Sequence, residues 1–199
     1  MPDKNRWEGL HENGNDGRTM TCSLRRTLAT LVLAGVCACS HTVADQFRVQ
    51  YDKGRAASQA GQPSAAIAAF RQAVYLKPDS AEAHNDLGAA LYDVGEREAA
   101  IQEYQRALRL NRDYAEAHNN LGVALLSSGQ VAAAVAEYRE AVELKPDFAA
   151  ARYNLCLGLE LLGQLSEALR QCRAAYEQDP SQAGITAAIE RLGRKLSEQ

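Results

Sequence analysis

The chain has 199 residues, of which 46% are hydrophobic and 24% charged, enough for one globular domain plus a tail. Its 22 Lys and Arg nearly balance 25 Asp and Glu, so the totals give no cationic footprint for nucleic acid. Alanine, leucine and glutamate dominate after residue 45 and the whole chain has five prolines, which favours helices over a sheet.

Residues 1–19 are polar and rich in Asn, Gly and Asp, and read as a non-native or disordered extension with Met20 as the start. Leu28 to Ala38 form an apolar run preceded by Arg25 and Arg26 and followed by Ser40, His41 and Thr42, so residues 20–38 read as a signal peptide. A membrane-spanning helix needs roughly 20 apolar residues, more than this segment has. The arginine pair matches a twin-arginine signal poorly. The stretch Val36, Cys37, Ala38, Cys39 resembles a bacterial lipoprotein box. That resemblance implies a lipid on Cys39 and a tether over 39–46, with Cys37 standing where Ala, Ser or Thr is usual. Cleavage after Ala38 or Ala44 without lipid stays open.

From residue 47 the chain repeats with a period of 34. Gly54, Gly88 and Gly122 align, as do Gly61, Gly95, Gly129 and Gly163, and Ala66, Ala100, Ala134 and Ala168. The same register aligns Phe70, Tyr104, Tyr138 and Cys172, then Ala73, Ala107, Ala141 and Ala175, then Pro78, Pro146 and Pro180, with Arg112 as the exception. Within a repeat, Leu87 and Leu91 and then Ile101, Tyr104 and Leu108 recur at helical spacing on either side of Gly95, so each repeat reads as two helices and a tight turn. A hairpin cannot cover its own apolar face, so stability must come from stacking. Lys53 replaces the leucine of Leu87, Leu121 and Leu155, as suits a first repeat with solvent on one side. After Pro180, Ile185, Ile189, Leu192 and Leu196 share one helical face and predict a closing helix.

The segments AHNDLGAAL (83–91) and AHNNLGVAL (117–125) resemble the tetratricopeptide-repeat (TPR) pattern. The resemblance implies an all-α, right-handed α-solenoid of four hairpins over 47–182, divided as 47–80, 81–114, 115–148 and 149–182, with a capping helix and tail over 183–199. It also implies a concave groove lined by three parallel rows: Asn85, Ala89 and Tyr92; Asn119, Val123 and Leu126; and Tyr153, Leu157 and Glu160. The alternative is that Ala89, Val123 and Leu126 pack between helices. Asp86, Asn120 and Asn154 share one repeat position, where some relatives carry an asparagine ladder that binds peptide backbone. With Arg55 alone basic among the groove positions, no clamp for an acidic carboxyl terminus is expected.

His84 and His118 stand 34 apart because they share a repeat position, not because they pair on a metal. Glu96 and Glu98 read as solvated turn residues, and no serine or cysteine motif, phosphate-cradling loop or buried charge cluster is legible. Neither catalysis nor a cofactor nor a metal is expected. Cys156 and Cys172 lie on the two helices of repeat four, about equally far from the turn at Gly163, and are expected either as a disulfide or as small apolar core residues. The expected function is a protein-binding adaptor in the bacterial envelope, periplasm-facing and held by lipid, resembling tetratricopeptide lipoproteins that assist pilus or cell-wall machinery. A self-associating structural subunit or a soluble periplasmic binder are the alternatives.

Overall fold

A computed structural model describes residues 42–198 of the chain. The expected signal peptide and the lipidation site at Cys39 lie outside the described residues. Residues 44–198 belong to one compact unit.

The described residues form helices and no strands. They are α1 (42–59), α2 (Pro63–Leu76), α3 (Ala81–Asp93), α4 (Arg97–Leu110), α5 (Ala115–Ser127), α6 (Val131–Leu144), α7 (Ala149–Leu161), α8 (Leu165–Gln178) and α9 (Ile185–Ser197). Odd and even helices pair as hairpins, and all four hairpin turns close the same way. The amides of Gln62, Glu96, Gln130 and Gln164 bond back to the carbonyls of Ala57, Leu91, Leu125 and Leu159 at 2.9–3.0 Å. These are the long bonds of a Schellman ending, which requires a left-handed residue just before the donor. Gly61, Gly95, Gly129 and Gly163 supply it with φ of 66°, 86°, 78° and 73°. A side chain there would meet open space, so the constraint is backbone conformation alone. Pro63 opens α2, and the Ser80 hydroxyl accepts the Ala83 amide at 3.2 Å to cap α3.

The second aligned glycine set acts differently. A methyl group on Gly54, Gly88 or Gly122 would lie 2.6, 2.8 or 2.6 Å from ring carbons of Phe70, Tyr104 or Tyr138. The missing side chain on the first helix is the seat of the aromatic ring on the second. The fourth repeat keeps this contact with other atoms. Cys156, one repeat after Gly122, forms a disulfide with Cys172, one repeat after Tyr138, with Cα atoms 5.4 Å apart. Both cysteines are fully buried.

Ala66, Ala100, Ala134 and Ala168 are wholly buried, as small residues must be where adjacent helices press together. Consecutive first helices approach one another, α3 with α5, α5 with α7 and α7 with α9, whereas the backbones of α2 and α4, α4 and α6, and α6 and α8 stay further apart, α6 and α8 being joined by the long Arg139–Glu167 pair at 3.1 Å. The odd helices therefore form the inner, concave layer and the even helices the outer, convex one. The stack ends at α9, which buries Ile185, Ala188 and Leu192 against the last hairpin and starts at Gly184, whose φ is 84°. A side chain at Gly184 would meet the Tyr153 hydroxyl, so α9 seats close to α7.

Candidate functional site

The inner face brings the three predicted rows side by side, and its polar groups are not left free. Asn120 Nδ2 donates to Asn85 Oδ1 at 3.0 Å, and Asn154 Nδ2 donates to Asn119 Oδ1 at 2.8 Å. Within each helix, Asn85 Nδ2 donates to Asp86 Oδ1 at 3.2 Å and Asn119 Nδ2 donates to Asn120 Oδ1 at 3.5 Å. Tyr51 completes the chain by donating its hydroxyl to Asp86 Oδ2 at 2.7 Å, and burial together with that carboxylate pushes the phenol pKa up. Every donor in this line points toward Asp86, the one carboxylate in it. Each interhelix bond joins residues 35 apart, one more than the repeat, which records the small rotation between successive inner helices. A fully connected amide line of this kind fixes register, because breaking one link strands a polar group on a partly dry surface.

Asn85 and Asn119 are buried, while Asp86, Asn120 and Asn154 are half-buried. The amides thus spend a donor and an acceptor on one another, and the ladder first holds the inner helices in register.

Beside this line runs an apolar one. Ala89, Tyr92, Val123, Leu126, Tyr153 and Leu157 are all half-buried. Tyr92, Val123, Leu126 and Tyr153 rest against the core and remain partly exposed. Tyr92 is fixed by a 2.6 Å bond to the Ser127 hydroxyl, which itself donates to the Val123 carbonyl at 2.9 Å. At the last inner turn Leu161 is 64% exposed, although it belongs to the same helix as the fully buried Leu159. Sequence reasoning passes over Leu161 because it falls beyond the Tyr153, Leu157 and Glu160 row.

Glu160 closes the groove at the capping helix. Arg191 grips its carboxylate with two bonds of 2.9 and 2.7 Å and Lys195 adds a third at 2.7 Å. The Arg191 guanidinium, helped by Lys195, holds the Glu160 pKa at about 2. This cluster has two cations for one anion.

The histidines lie away from the groove. His84 Nδ1 meets Glu103 Oε2 at 2.6 Å and Nε2 meets the Pro78 carbonyl at 3.1 Å. His118 repeats the arrangement with Glu137 at 2.7 Å and the Arg112 carbonyl at 3.0 Å. In His118 both ring nitrogens face acceptors, and the Glu137 carboxylate pushes its pKa up. Arg152 takes the same place in the fourth repeat, donating to the Pro146 carbonyl at 3.0 and 2.9 Å and to Gln171 Oε1 at 3.2 Å. The position staples the loop before each inner helix to the outer helix of its own repeat. The His84–Glu103 contact is largely enclosed: the two side chains are only 6% and 13% exposed. Its signal is a histidine and a glutamate at one fixed spacing, present twice in the sequence. No group of three or more His, Cys, Asp or Glu placed to hold a metal occurs among the described residues.

Comparison with known proteins agrees with this architecture. The family model for the TPR repeat matches residues 54–95, 90–129 and 124–157. A crystal structure of MamA is 32% identical, with a TM-score of 0.64 over 67% of this chain and 78% of that one. PilF of Pseudomonas aeruginosa superposes with a TM-score of 0.71 at 23% identity, covering 79% of this chain and 72% of that one. YrrB, described as a TPR protein with an unusual peptide-binding site, gives 0.65 at 24% identity over 75% and 77%. Among curated proteins no match reaches significance.

Proposed function

The chain belongs to the tetratricopeptide-repeat family, and from that premise we propose that it is a protein-binding scaffold of the bacterial cell envelope which holds a partner segment in its inner groove and does no chemistry of its own. The observation that carries the reading is the apolar line of half-buried Tyr92, Leu126 and Leu157 that ends in exposed Leu161, beside amides already bonded to one another. Exposed apolar surface in a concave site suits apolar anchors on a partner, as when an amphipathic segment lies in a groove. YrrB, a TPR protein with an unusual peptide-binding site, supports the same reading here.

Two features support export. The basic and apolar pattern over 20–38 reads as a signal, and a cysteine pair that joins adjacent helices suits an oxidising compartment. In this proposal Cys39 carries lipid and tethers the solenoid to the membrane facing the periplasm, where it assists assembly of a larger complex.

Intact-mass analysis of protein from bacterial membranes tests the tether: a chain beginning at Cys39 with added acyl mass is expected, and an uncleaved chain would overturn it. For the groove, Leu126→Asp with Leu157→Asp should remove the copurifying partner, at least about tenfold in recovery, while leaving the helical circular dichroism unchanged. Full recovery of partner by that variant would exclude the groove.

A further inference from the structure

The outer layer carries a charge pattern that the hairpin scaffold does not require. Arg106 and Arg109 lie on the outward side of α4. The residues one repeat away are Gln72 and Tyr75 in α2, Glu140 and Glu143 in α6, and Ala174 and Glu177 in α8. All four hairpins form with these different side chains, so neither packing nor helix formation selects arginine in the second repeat or glutamate in the third. The four charged residues are exposed. Arg106 meets Glu103 of its own helix at 3.0 Å, and among the described residues Arg109, Glu140 and Glu143 form no ion pair within the chain. Beside the glutamates, α6 exposes Ala132, Ala133 and Ala136, a low surface that leaves room for long side chains from another molecule.

The geometry points to a second copy of this chain as the partner for this face, in a back-to-back dimer. The opposite charges sit at the same height of adjacent outer helices because they are one repeat apart, Arg106 with Glu140 and Arg109 with Glu143. A two-fold axis running parallel to α4 and α6, midway between them, lays α4 of each copy on α6 of the other. Arg106 then faces Glu140 of the second copy and Arg109 faces its Glu143, and the symmetry repeats both pairs. Gln102 comes over Ala136 of the second copy, and the Arg106 stem lies next to that alanine. Repeats two and three are the middle of the four, so α4 and α6 form the part of a convex surface that a second convex surface touches first. An unrelated acidic protein would engage the arginines alone, whereas the second copy uses both charged patches, including Glu140, whose charge within the chain also acts on His118. This face is opposite the groove, so dimer and partner segment do not compete.

Sedimentation velocity of the full-length chain over a wide concentration range tests the dimer. A dimer is expected that weakens as salt rises, since the pairs are exposed. R106E/R109E and E140R/E143R should each raise the dimer Kd by about tenfold or more. Mixed together, these two variants should pair with one another, and the chain carrying all four reversals should recover the homodimer. Melting followed by circular dichroism confirms that each variant is folded, and the milder R109Q and E143Q should weaken the dimer in the same direction. A monomer at every concentration, a dimer indifferent to either reversal, or reversed variants that fail to pair on mixing would each overturn the assignment. Loss of the groove partner in the leucine variants, with the dimer intact, would leave this inference standing.

Discussion

At the scale of the residue, the fourth repeat shows how one contact can be made by two chemistries. In repeats one to three a glycine receives an aromatic ring, and in repeat four two sulfur atoms span the same gap. A disulfide closing a loop with a sequence separation of 16 stabilises by about 3 kcal/mol, mainly by restricting the unfolded chain. Denaturant unfolding with and without a thiol reductant should show that loss. The variant C156G/C172Y, which rebuilds the pair found in repeats two and three, should unfold at the same denaturant concentration in both conditions. A wild-type midpoint indifferent to reductant would contradict the role given to this bond. The equivalence is present in the sequence, since Cys172 aligns with Phe70, Tyr104 and Tyr138, and Cys156 lies one repeat beyond Gly122. It is easily passed over because Gly54, Gly88 and Gly122 align as a set of three, and nothing in glycine suggests that a cysteine should fill the fourth place.

At the scale of the element, α9 is an inner helix without an outer one, and it is held by burial on one side and by charge at the groove. Ile185, Ala188 and Leu192 are buried, and Arg191 and Lys195 fix Glu160 of α7. Because the folded Glu160 pKa, about 2, lies below its ordinary 4.5, the contact is complete above about pH 4.5 and is lost as pH falls toward 2. Glu160→Gln should cost about 1 kcal/mol at neutral pH, a modest figure because Arg191 and Lys195 are nearly half exposed. It should also speed hydrogen exchange in α9 while sparing α3 and α5, and remove that portion of the acid sensitivity. Equal exchange in α9 of variant and wild type would sink the idea. The helices themselves were legible, because Gly95 and Gly129 end one apolar stripe and begin the next. The bonds between side chains were not: Glu160 with Arg191, and His84 with Glu103, join residues whose partnership depends on how far one helix is rotated against another. Sequence spacing gives that rotation only after the 35-residue offset of Tyr51 and Asp86, Asn85 and Asn120, and Asn119 and Asn154 is recognised.

At the scale of the whole compact unit, the two layers divide the work. The inner layer satisfies its own amides and leaves an apolar line beside them, so a partner there is recognised chiefly by apolar contact. The outer layer needs only small residues facing inward and is free to vary in charge outward. Which residues share the inner helices followed from the repeat, whereas the internal bonding of the amides did not, because asparagine at such positions suits a ladder to a ligand and a ladder within the protein equally. The central claim is that the inner face is the binding face. Photo-crosslinking in living cells, with a benzophenone side chain placed at Leu126 or Leu157 and separately at Gln72 of the outer layer, tests it most directly. The account predicts a discrete adduct with another polypeptide from both inner positions, none with that polypeptide from Gln72, and loss of the adduct at 126 when Leu157 becomes Asp. The same adduct formed from Gln72, with none from Leu126 or Leu157, would contradict it.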